Sequence, residues 1–457
     1  MATESRATWS GKLAFVLSAA ASAVGLGSMW RFPYLAAKYG GGAFLFVYLV
    51  FVFTIGISLL LLENALGRKT KQSAIGAFKS FGKKFAFIGI FTSCVPFIIV
   101  PYYCVIGGWT TKYMFSYFTQ SPAAMADGGA FFTSFITDPV GSTIFLLIFA
   151  AATCAIVGLG VNKGIERANL IMMPALIIVS AALAIYVLTM PGAIDGMAYY
   201  LIPDPSKFSP EMIISALGQT FYTLSLAMGI MITYGSYLDK KEKLTSSVTQ
   251  IAGTTFGVSL LAGMMIIPSS FAALGSGEAV AENAGPSLMY IVLPEVFNSM
   301  GSIGGILGGI FFILVIFAAL TSSISLVETC VSIISDGANM TRKKALAIVT
   351  AFLLVAAFIV NMGYSGLSFI QPLGEGSSIL DFLDFISNSV MMPIAAIMTC
   401  IFVGWVIKPK TIIDEVRESS KFRAAGAWTA MIKYIAPVCI VLILITYVAQ
   451  TFGLVSL

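Results

Sequence analysis

The sequence predicts an all-α protein that crosses a membrane many times, with eleven transmembrane helices. Of its 457 residues, 58% are hydrophobic and only 10% are charged, a balance outside the range of soluble globular domains. Its apolar runs each reach roughly 20 residues, which is the helical length that a bilayer core requires, and polar segments separate them. The predicted spans, numbered in chain order below, begin near Lys12, Gly42, Phe85, Gly141, Arg167, Glu211, Leu244, Gly301, Lys344, Ile379 and Ala425.

The basic residues predict the orientation of these spans. Once the spans alternate across the membrane, most of the 26 lysines and arginines fall on the side of the N-terminus, in segments such as 68–71, 240–243, 342–344 and 408–423. Positive loops stay in the cytoplasm, so we expect a cytoplasmic N-terminus and an extracytoplasmic C-terminus in a plasma or inner membrane. The net charge of +5 is then a consequence of topology and gives no reason to expect a nucleic-acid partner.

Two spans carry residues that disfavour a continuous helix. Residues 18–33 read SAAASAVGLGSMWRFP, with Gly-x-Gly followed by Arg31, and residues 219–237 read QTFYTLSLAMGIMITYGSY. Glycine costs about 1 kcal/mol against alanine inside a helix, and arginine is expensive in lipid. Non-helical backbone at membrane depth persists only where protein buries it or a cavity wets it, so the two interruptions predict one shared polar site. Close helix packing at small residues is the alternative explanation.

The positions of the breaks predict an internal repeat. They fall in the first and sixth spans, as in transporters built from five plus five inverted helices. We therefore expect a single transporter domain over 1–457, with one repeat at 11–190, a second at 210–406 and an additional helix at 425–457.

The eighth span places hydroxyl groups in an otherwise apolar helix, at Thr321, Ser322 and Ser323. Neutral oxygen ligands without a carboxylate suit a monovalent cation such as sodium, whereas calcium or magnesium favours charged ligands. The alternative is that these side chains bond back to their own helix.

Several motifs resemble one family of transporters. They are AVGLGSMWRFPYLAAKYGGGAF in the first span, ENALGR in the second, Tyr102-Tyr103 with Trp109 in the third, TLSL in the sixth and AALTSS in the eighth. They resemble the neurotransmitter:sodium symporters, and above all the bacterial amino-acid members with the leucine-transporter fold. The resemblance extends from Trp9 to Asp384, and this chain has one span fewer than the family's usual twelve.

The resemblance implies a substrate pocket that is apolar, aromatic and hydroxylated, and that carries no charge. Monoamine members of the family have an aspartate where this chain has Gly25, so a zwitterionic substrate is favoured. Its carboxylate would meet Gly27, the N-terminus of the half-helix and the Tyr103 hydroxyl, and its ammonium would meet carbonyls freed by the breaks. The implied pocket residues are Ser22, Ala23, Leu26, Gly27, Ile99, Tyr103, Tyr222, Thr223, Ser225, Met228, Ser322 and Leu326.

The resemblance also implies ion sites. The family's second sodium site would comprise the carbonyls of Ala21, Val24 and Ala318 with the hydroxyls of Thr321 and Ser322. Its first sodium site departs from the family pattern: Ser28 and Thr255 replace amide or carboxylate ligands, while Thr223 and the Ala23 carbonyl remain. We therefore expect that site to be weak, water-assisted or absent. Where it is occupied, we expect stimulation by chloride at Tyr48, Gln219, Thr223 and Ser259.

Two charged pairs match the family's gates. Arg31 and Asp384 would form the outer pair, with Tyr222 as a lid, and Arg6 and Asp336 the inner pair, beside Trp9, Ser236 and Tyr237. Arg31 and Asp384, each taken alone, have the alternative of extending to the outer membrane interface. Glu63 is expected to be structural and buried against the first helix, and Glu328 has no assigned role.

These observations favour sodium-coupled import of a small neutral amino acid, hydrophobic or aromatic, by alternating access. A proton-coupled carrier of the same fold is the main alternative, although a proton relay requires a titratable group. A membrane enzyme is disfavoured because the chain has no histidine and no nucleophile motif. A channel is a further alternative. The exact amino acid, the stoichiometry and the oligomeric state stay open.

Overall fold

The computed structural model describes residues 6–120, 125, 127–274 and 288–451. Nine continuous helices in these ranges are long and apolar enough to cross a membrane: Gly42–Thr70, Lys83–Thr119, Pro139–Gly158, Val161–Val187, Leu244–Ala272, Ile303–Ala338, Arg342–Met362, Ile379–Val406 and Ala425–Thr451. Shorter helices connect them, among them Ala74–Lys79, Gly128–Thr137, Ala193–Leu201, Leu293–Ser299 and Lys410–Arg417. The predicted all-helical membrane fold is confirmed.

The first span is broken, as predicted. Helices Lys12–Ala23 and Gly27–Lys38 meet at 59°. Gly25 lies in the break, where an added Cβ would overlap Ser322 Oγ and stand 2.6 Å from the Tyr103 hydroxyl. A side chain at this position would therefore push the first span away from the third and the eighth.

The sixth span is also broken, into Pro210–Thr223 and Ile230–Ser236. Between the two helices Ser225 and Ala227 adopt left-handed backbone conformations, with φ of 51° and 61°. The Ala227 amide, which has no helical partner, donates a 2.7 Å hydrogen bond to Glu63 Oε1. Glu63 is buried as expected, but this bond is made to the sixth span and not to the first.

The broken spans fall at the predicted first and sixth positions, between the nine continuous helices. The count of eleven crossings, the repeats at 11–190 and 210–406, and the extra helix at 425–457 stay predictions.

Two close approaches fix the inner half of the sixth span against the second span. A Cβ at Gly67 would overlap the Ile232 carbonyl, and a Cβ at Gly235 would overlap the backbone of Asn64.

A buried ion pair joins the second span to the segment before the eleventh. Arg68 Nε lies 2.7 Å from Glu415 Oε1, and both side chains are fully buried. Arg68 also donates to the Glu242 carbonyl at 2.9 Å and to Ser419 Oγ at 3.0 Å. One guanidinium therefore connects the second span, the loop after the sixth span and the helix Lys410–Arg417.

Candidate functional site

A cavity lies between the two broken helices, in the position that ligand pockets between the helices of bundles commonly take. Its lining consists of Ser22, Ala23, Gly25, Gly27, Ile99, Tyr103, Tyr222, Thr223, Ser225, Met228, Ile230, Ser322 and Leu326. Every pocket residue predicted from the sequence is present except Leu26, and Gly25 and Ile230 are additional. Which of them contact a substrate stays a prediction.

Hydrogen bonds across the cavity join the two breaks. Ser225 Oγ and Ser322 Oγ each donate to the Ser22 carbonyl at 3.0 Å. The Leu26 amide donates to the Tyr103 hydroxyl at 3.1 Å, so Leu26 contributes its backbone and not its side chain. The lining within the described residues contains hydroxyls and apolar groups and no charged side chain.

Tyr222 covers the side of the cavity that lies away from the N-terminus, which we call the outer side; the opposite side is the inner side. An added Cβ at Gly27 would overlap the Tyr222 ring. The guanidinium of Arg31 lies 5.0 Å from the centre of the same ring. Tyr222 therefore occupies the position of the predicted lid, between Gly27 and Arg31.

Three of the five residues predicted for the second sodium site come together. Thr321 Oγ1 lies 3.0 Å from the Ala318 carbonyl and 3.5 Å from the Val24 carbonyl. Ala21 is equally buried, while the Ser322 hydroxyl is directed to Ser22. The contact with Ala318 is a bond back to the same helix, but the approach to Val24 crosses between spans. The oxygen atoms are neutral and buried, a set that fits a monovalent cation.

The four residues predicted for chloride form one buried cluster. Gln219 Nε2 donates to Thr223 Oγ1 at 2.8 Å and to the Gly27 carbonyl at 3.0 Å. Ser259 Oγ lies 3.4 Å from the Tyr48 hydroxyl. All four side chains are buried, and their polar groups are neutral amides and hydroxyls that include donors for an anion.

The first sodium site, which the sequence predicts to be weak, water-assisted or absent, stays a prediction. Ser28 accepts a 3.3 Å hydrogen bond from Ser259 and so belongs to the chloride cluster. The Thr255 hydroxyl is buried and makes no hydrogen bond within the described part of the chain. The hydroxyls of Ser28, Thr223 and Thr255 are therefore not joined to one another by hydrogen bonds here.

The residues predicted for the inner gate are in contact. Arg6 Nη1 donates to both carboxylate oxygens of Asp336 at 2.8 Å, and Arg6 Nε donates to Ser236 Oγ at 3.0 Å. The Arg6 guanidinium also lies 5.1 Å from the centre of the Tyr237 ring. The Trp9 indole donates to the Tyr234 carbonyl at 3.0 Å. These contacts close the inner side of the protein.

Glu328, which had no role from the sequence, belongs to this inner cluster. Its buried carboxylate accepts a 2.7 Å hydrogen bond from the Tyr237 hydroxyl and forms an ion pair with Arg342. In the sequence, Glu328 stood out only as a single acidic residue in the apolar eighth span. Its partners could not be predicted from the spacing of residues within that span, because they lie on the sixth and ninth spans.

The role of Arg31 and Asp384 as the outer pair stays a prediction. Arg31 and Asp384 make no ion pair with each other in the structure as described. Asp384 accepts from the Asn388 amide, and Arg31 lines an outer cavity together with Tyr447. Tyr447 was missed because a single tyrosine in an apolar span carries no distinguishing pattern.

Comparisons with known proteins agree with this geometry. The model of the sodium:neurotransmitter symporter family matches residues 6–134 and 132–454. The sodium-dependent transporter YhdH of Bacillus subtilis is 33% identical over 98% of this chain and 99% of its own length. The human sodium- and chloride-dependent GABA transporter 2 is 26% identical over 92% of this chain and 76% of its own. The crystal structure of MhsT in complex with L-phenylalanine superposes with a TM-score of 0.86 at 36% identity, covering 97% of this chain and all of that one.

Proposed function

Since this chain belongs to the sodium:neurotransmitter symporter family and is a sodium-dependent symporter, not an enzyme, we propose that it imports a neutral, hydrophobic or aromatic amino acid by alternating access. The observation that carries this proposal is the uncharged lining of the cavity between the two breaks. A buried charge without a partner is costly, so an amine that lacks its own carboxylate would bind poorly there.

The polar groups of the cavity suit the two ends of an amino acid. Because the Tyr103 hydroxyl accepts from the Leu26 amide, its own proton is available for a substrate carboxylate. Gly27, at the N-terminus of the outer half-helix, offers backbone donors and a favourable dipole to the same group. The Ser22 carbonyl already accepts hydrogen bonds from two hydroxyls, and it lies on the side of the cavity that we propose for the substrate ammonium.

The remaining lining supports a hydrophobic side chain on the substrate. Ile99, Met228, Ile230 and Leu326 give the cavity an aliphatic wall, and methionine adapts its shape to different partners. The similar structure of MhsT, which holds L-phenylalanine, supports the same class. We propose sodium as the coupling ion at the site around Thr321, with chloride as an additional ion only where the first sodium site is occupied.

The contacts at the two ends of the molecule support alternating access. The inner cluster around Arg6 and Asp336 is closed, whereas Arg31 and Asp384 form no ion pair in the part of the chain that the structure describes. Closure of one side while the other lacks its ion pair is what a carrier requires and what an open channel does not show. On the proposed topology, the N-terminus and the closed side are cytoplasmic and the membrane is the plasma or inner membrane.

Uptake by the purified full chain in proteoliposomes tests the proposal. We expect accumulation of labelled leucine or phenylalanine under an inward sodium gradient, and none under a proton gradient at equal sodium. Methionine and aromatic amino acids should compete, whereas tyramine and tryptamine should not. Accumulation under the proton gradient alone would favour the proton-coupled alternative, and displacement by the amines would contradict the pocket assignment.

A further inference from the structure

We propose that a basic groove next to the start of the eleventh span binds the headgroup of an anionic phospholipid. The groove is open to solvent, has a volume of about 380 Å³, and extends from the end of the helix Lys410–Arg417 to the residues just before Ala425. None of its residues lines the candidate substrate cavity, so the inference does not depend on the proposed substrate. The lining consists of Arg417, Ser420, Lys421, Phe422 and Arg423.

The cations of the groove have no acidic partner. The side chains of Arg417, Lys421 and Arg423 are exposed, and none of them forms an ion pair with any residue that the structure describes. Like charges at such short spacing repel one another, and an anion that contacts several of them relieves this repulsion. Phosphate oxygens accept strong charge-assisted hydrogen bonds from guanidinium and ammonium groups. The groove is therefore suited to a phosphate group.

The acids of the same segment do not neutralise the groove. Glu415 is fully buried and pairs with Arg68 of the second span at 2.7 Å. Glu418 pairs with Lys240 of the loop after the sixth span at 2.9 Å. Asp414 is exposed and forms no ion pair among the described residues. Two of the three acids are thus engaged by other parts of the protein, and the groove keeps a positive charge.

The wall of the groove is held by contacts that do not involve its cations. The Phe422 ring packs edge-on against Trp428, with 6.0 Å between the ring centres. The Trp428 indole donates a 3.0 Å hydrogen bond to the Ser58 carbonyl of the second span. Ser420 Oγ lies 3.2 Å from the Thr245 hydroxyl at the start of the seventh span. The segment is therefore fixed in place while its three cations remain available to a ligand.

A lysine within the eleventh span indicates the level of the membrane surface. Lys433 Nζ lies 4.2 Å from the centre of the Trp405 ring and 5.6 Å from that of Tyr434. Both aromatic side chains are exposed, as aromatic residues at the membrane interface are. Ala425 precedes Lys433 by about 12 Å of helix, and a helical lysine extends toward the N-terminus of its helix. The groove therefore lies at the depth of the lipid headgroups.

The surroundings of the groove favour a lipid over a soluble anion. The eleventh span is the most exposed of the nine continuous helices, with 22% of its most apolar stretch buried. Its exposed apolar side chains, among them Val438, Leu442 and Ile445, are available to acyl chains. Basic residues clustered directly beside a transmembrane helix attract anionic lipids. A free phosphate would share the charge of the headgroup but would make no contact with the span.

Retention of radiolabelled dioleoylphosphatidylglycerol by the purified full chain in neutral detergent micelles measures this binding. No amino acid or ion gradient is present, so the result is independent of the proposed function. We expect the chain to bind this lipid more tightly than dioleoylphosphatidylcholine, by about tenfold or more. The triple variant Arg417→Gln, Lys421→Gln and Arg423→Gln should lose the preference, since each basic residue contributes about fivefold, or about 1 kcal/mol.

A second triple variant controls for total charge. Lys79→Gln, Lys83→Gln and Lys344→Gln remove the same charge from exposed lysines on the side of the membrane that carries the groove in the proposed topology. This variant should bind phosphatidylglycerol like the parent. Arg417→Lys with Arg423→Lys keeps the charge of the groove and should keep most of the preference. Melting temperatures in detergent without lipid verify that each variant is folded.

Three results would overturn the inference. Equal loss of binding in the two triple variants would show that total positive charge attracts the lipid and that the groove does not. Equal retention of the two lipids by the parent would show that no anionic headgroup is recognised. Displacement of phosphatidylglycerol by inorganic phosphate would identify the ligand as a free anion and contradict a lipid site.

Discussion

The Tyr237 hydroxyl donates a 2.7 Å hydrogen bond to Glu328, whose carboxylate is fully buried and ion-paired with Arg342. Tyr237 also lies 5.9 Å from the Trp9 ring, in an edge-on arrangement, and beneath the guanidinium of Arg6. The closed inner side therefore extends from the segment before the first span to the start of the ninth. Opening it requires more than separation of Arg6 from Asp336.

We predict that Glu328→Gln lowers the stability of the inward-closed form. The variant leaves Arg342 half-buried beside a neutral group, and loss of one partner of a buried pair costs on the order of 3–5 kcal/mol. The apparent melting temperature in detergent should fall. Glu328→Gln with Arg342→Gln removes both charges and should recover part of the loss; a double variant as unstable as the sum of both singles would contradict the pairing.

We predict that Tyr103→Phe weakens binding of amino acids. The variant keeps the ring but removes the hydroxyl proposed to donate to the substrate carboxylate, and a hydrogen bond to a charged group contributes about 1.5–3 kcal/mol. Equilibrium binding of labelled leucine should weaken by about 10- to 100-fold. Tyr113→Phe, at a buried tyrosine of the same span that lies outside the cavity, serves as the control. Equal affinities in the two variants would argue against the role of Tyr103.

We predict that Thr321→Ala combined with Ser322→Ala weakens sodium binding. The change removes two hydroxyls from the proposed second sodium site, and each lost buried partner costs on the order of 1–3 kcal/mol. The sodium concentration for half-maximal uptake should rise at least tenfold. Ser323→Ala is the matched control, because that hydroxyl lies 3.1 Å from Thr153 on another side of the span. Unchanged sodium dependence in the double variant would refute the site.

We predict that Ser259→Glu makes transport independent of chloride if the first sodium site is occupied. Sodium beside a substrate carboxylate in a buried site calls for another negative charge, and Glu would supply it within the cluster of Tyr48, Gln219 and Thr223. Uptake with chloride replaced by gluconate measures this, with Ser259→Gln as the neutral control. Full activity of the parent without chloride, with a sodium Hill coefficient near one, would instead support a carrier that uses the second site alone.

The sequence was informative wherever the backbone itself limits the choice of residue. Gly25 and Gly27 mark the first break because Ser322, Tyr103 and Tyr222 occupy the space that a Cβ would need. The lining of the cavity, from Ser22 to Leu326, was implied by the resemblance to the family, and all of the implied residues except Leu26 line it.

The sequence was less informative about side chains whose partners depend on the conformation of the protein. Arg31 and Asp384 match a motif for a pair, but a motif does not state whether the pair is formed, and no ion pair joins them among the described residues. Tyr447 depends on the rotation of the eleventh span about its axis, which no apolar pattern in that span defines. The partner of Glu63 could not be predicted for a similar reason. Glu63 accepts a hydrogen bond from the Ala227 amide, and that amide lacks a helical partner only because the sixth span is broken.

The left-handed residues Ser225 and Ala227 imply an order of events during biogenesis. Each conformation costs about 1–2 kcal/mol in a residue other than glycine, and an unpaired Ala227 amide could not persist in lipid. Its partner Glu63 precedes it by 164 residues, so the ribosome delivers the second span long before the sixth. We expect the sixth span to leave the translocon as a continuous helix and to break only on docking against the second span. Replacement of Glu63 should then impair maturation of the chain while leaving its membrane insertion intact.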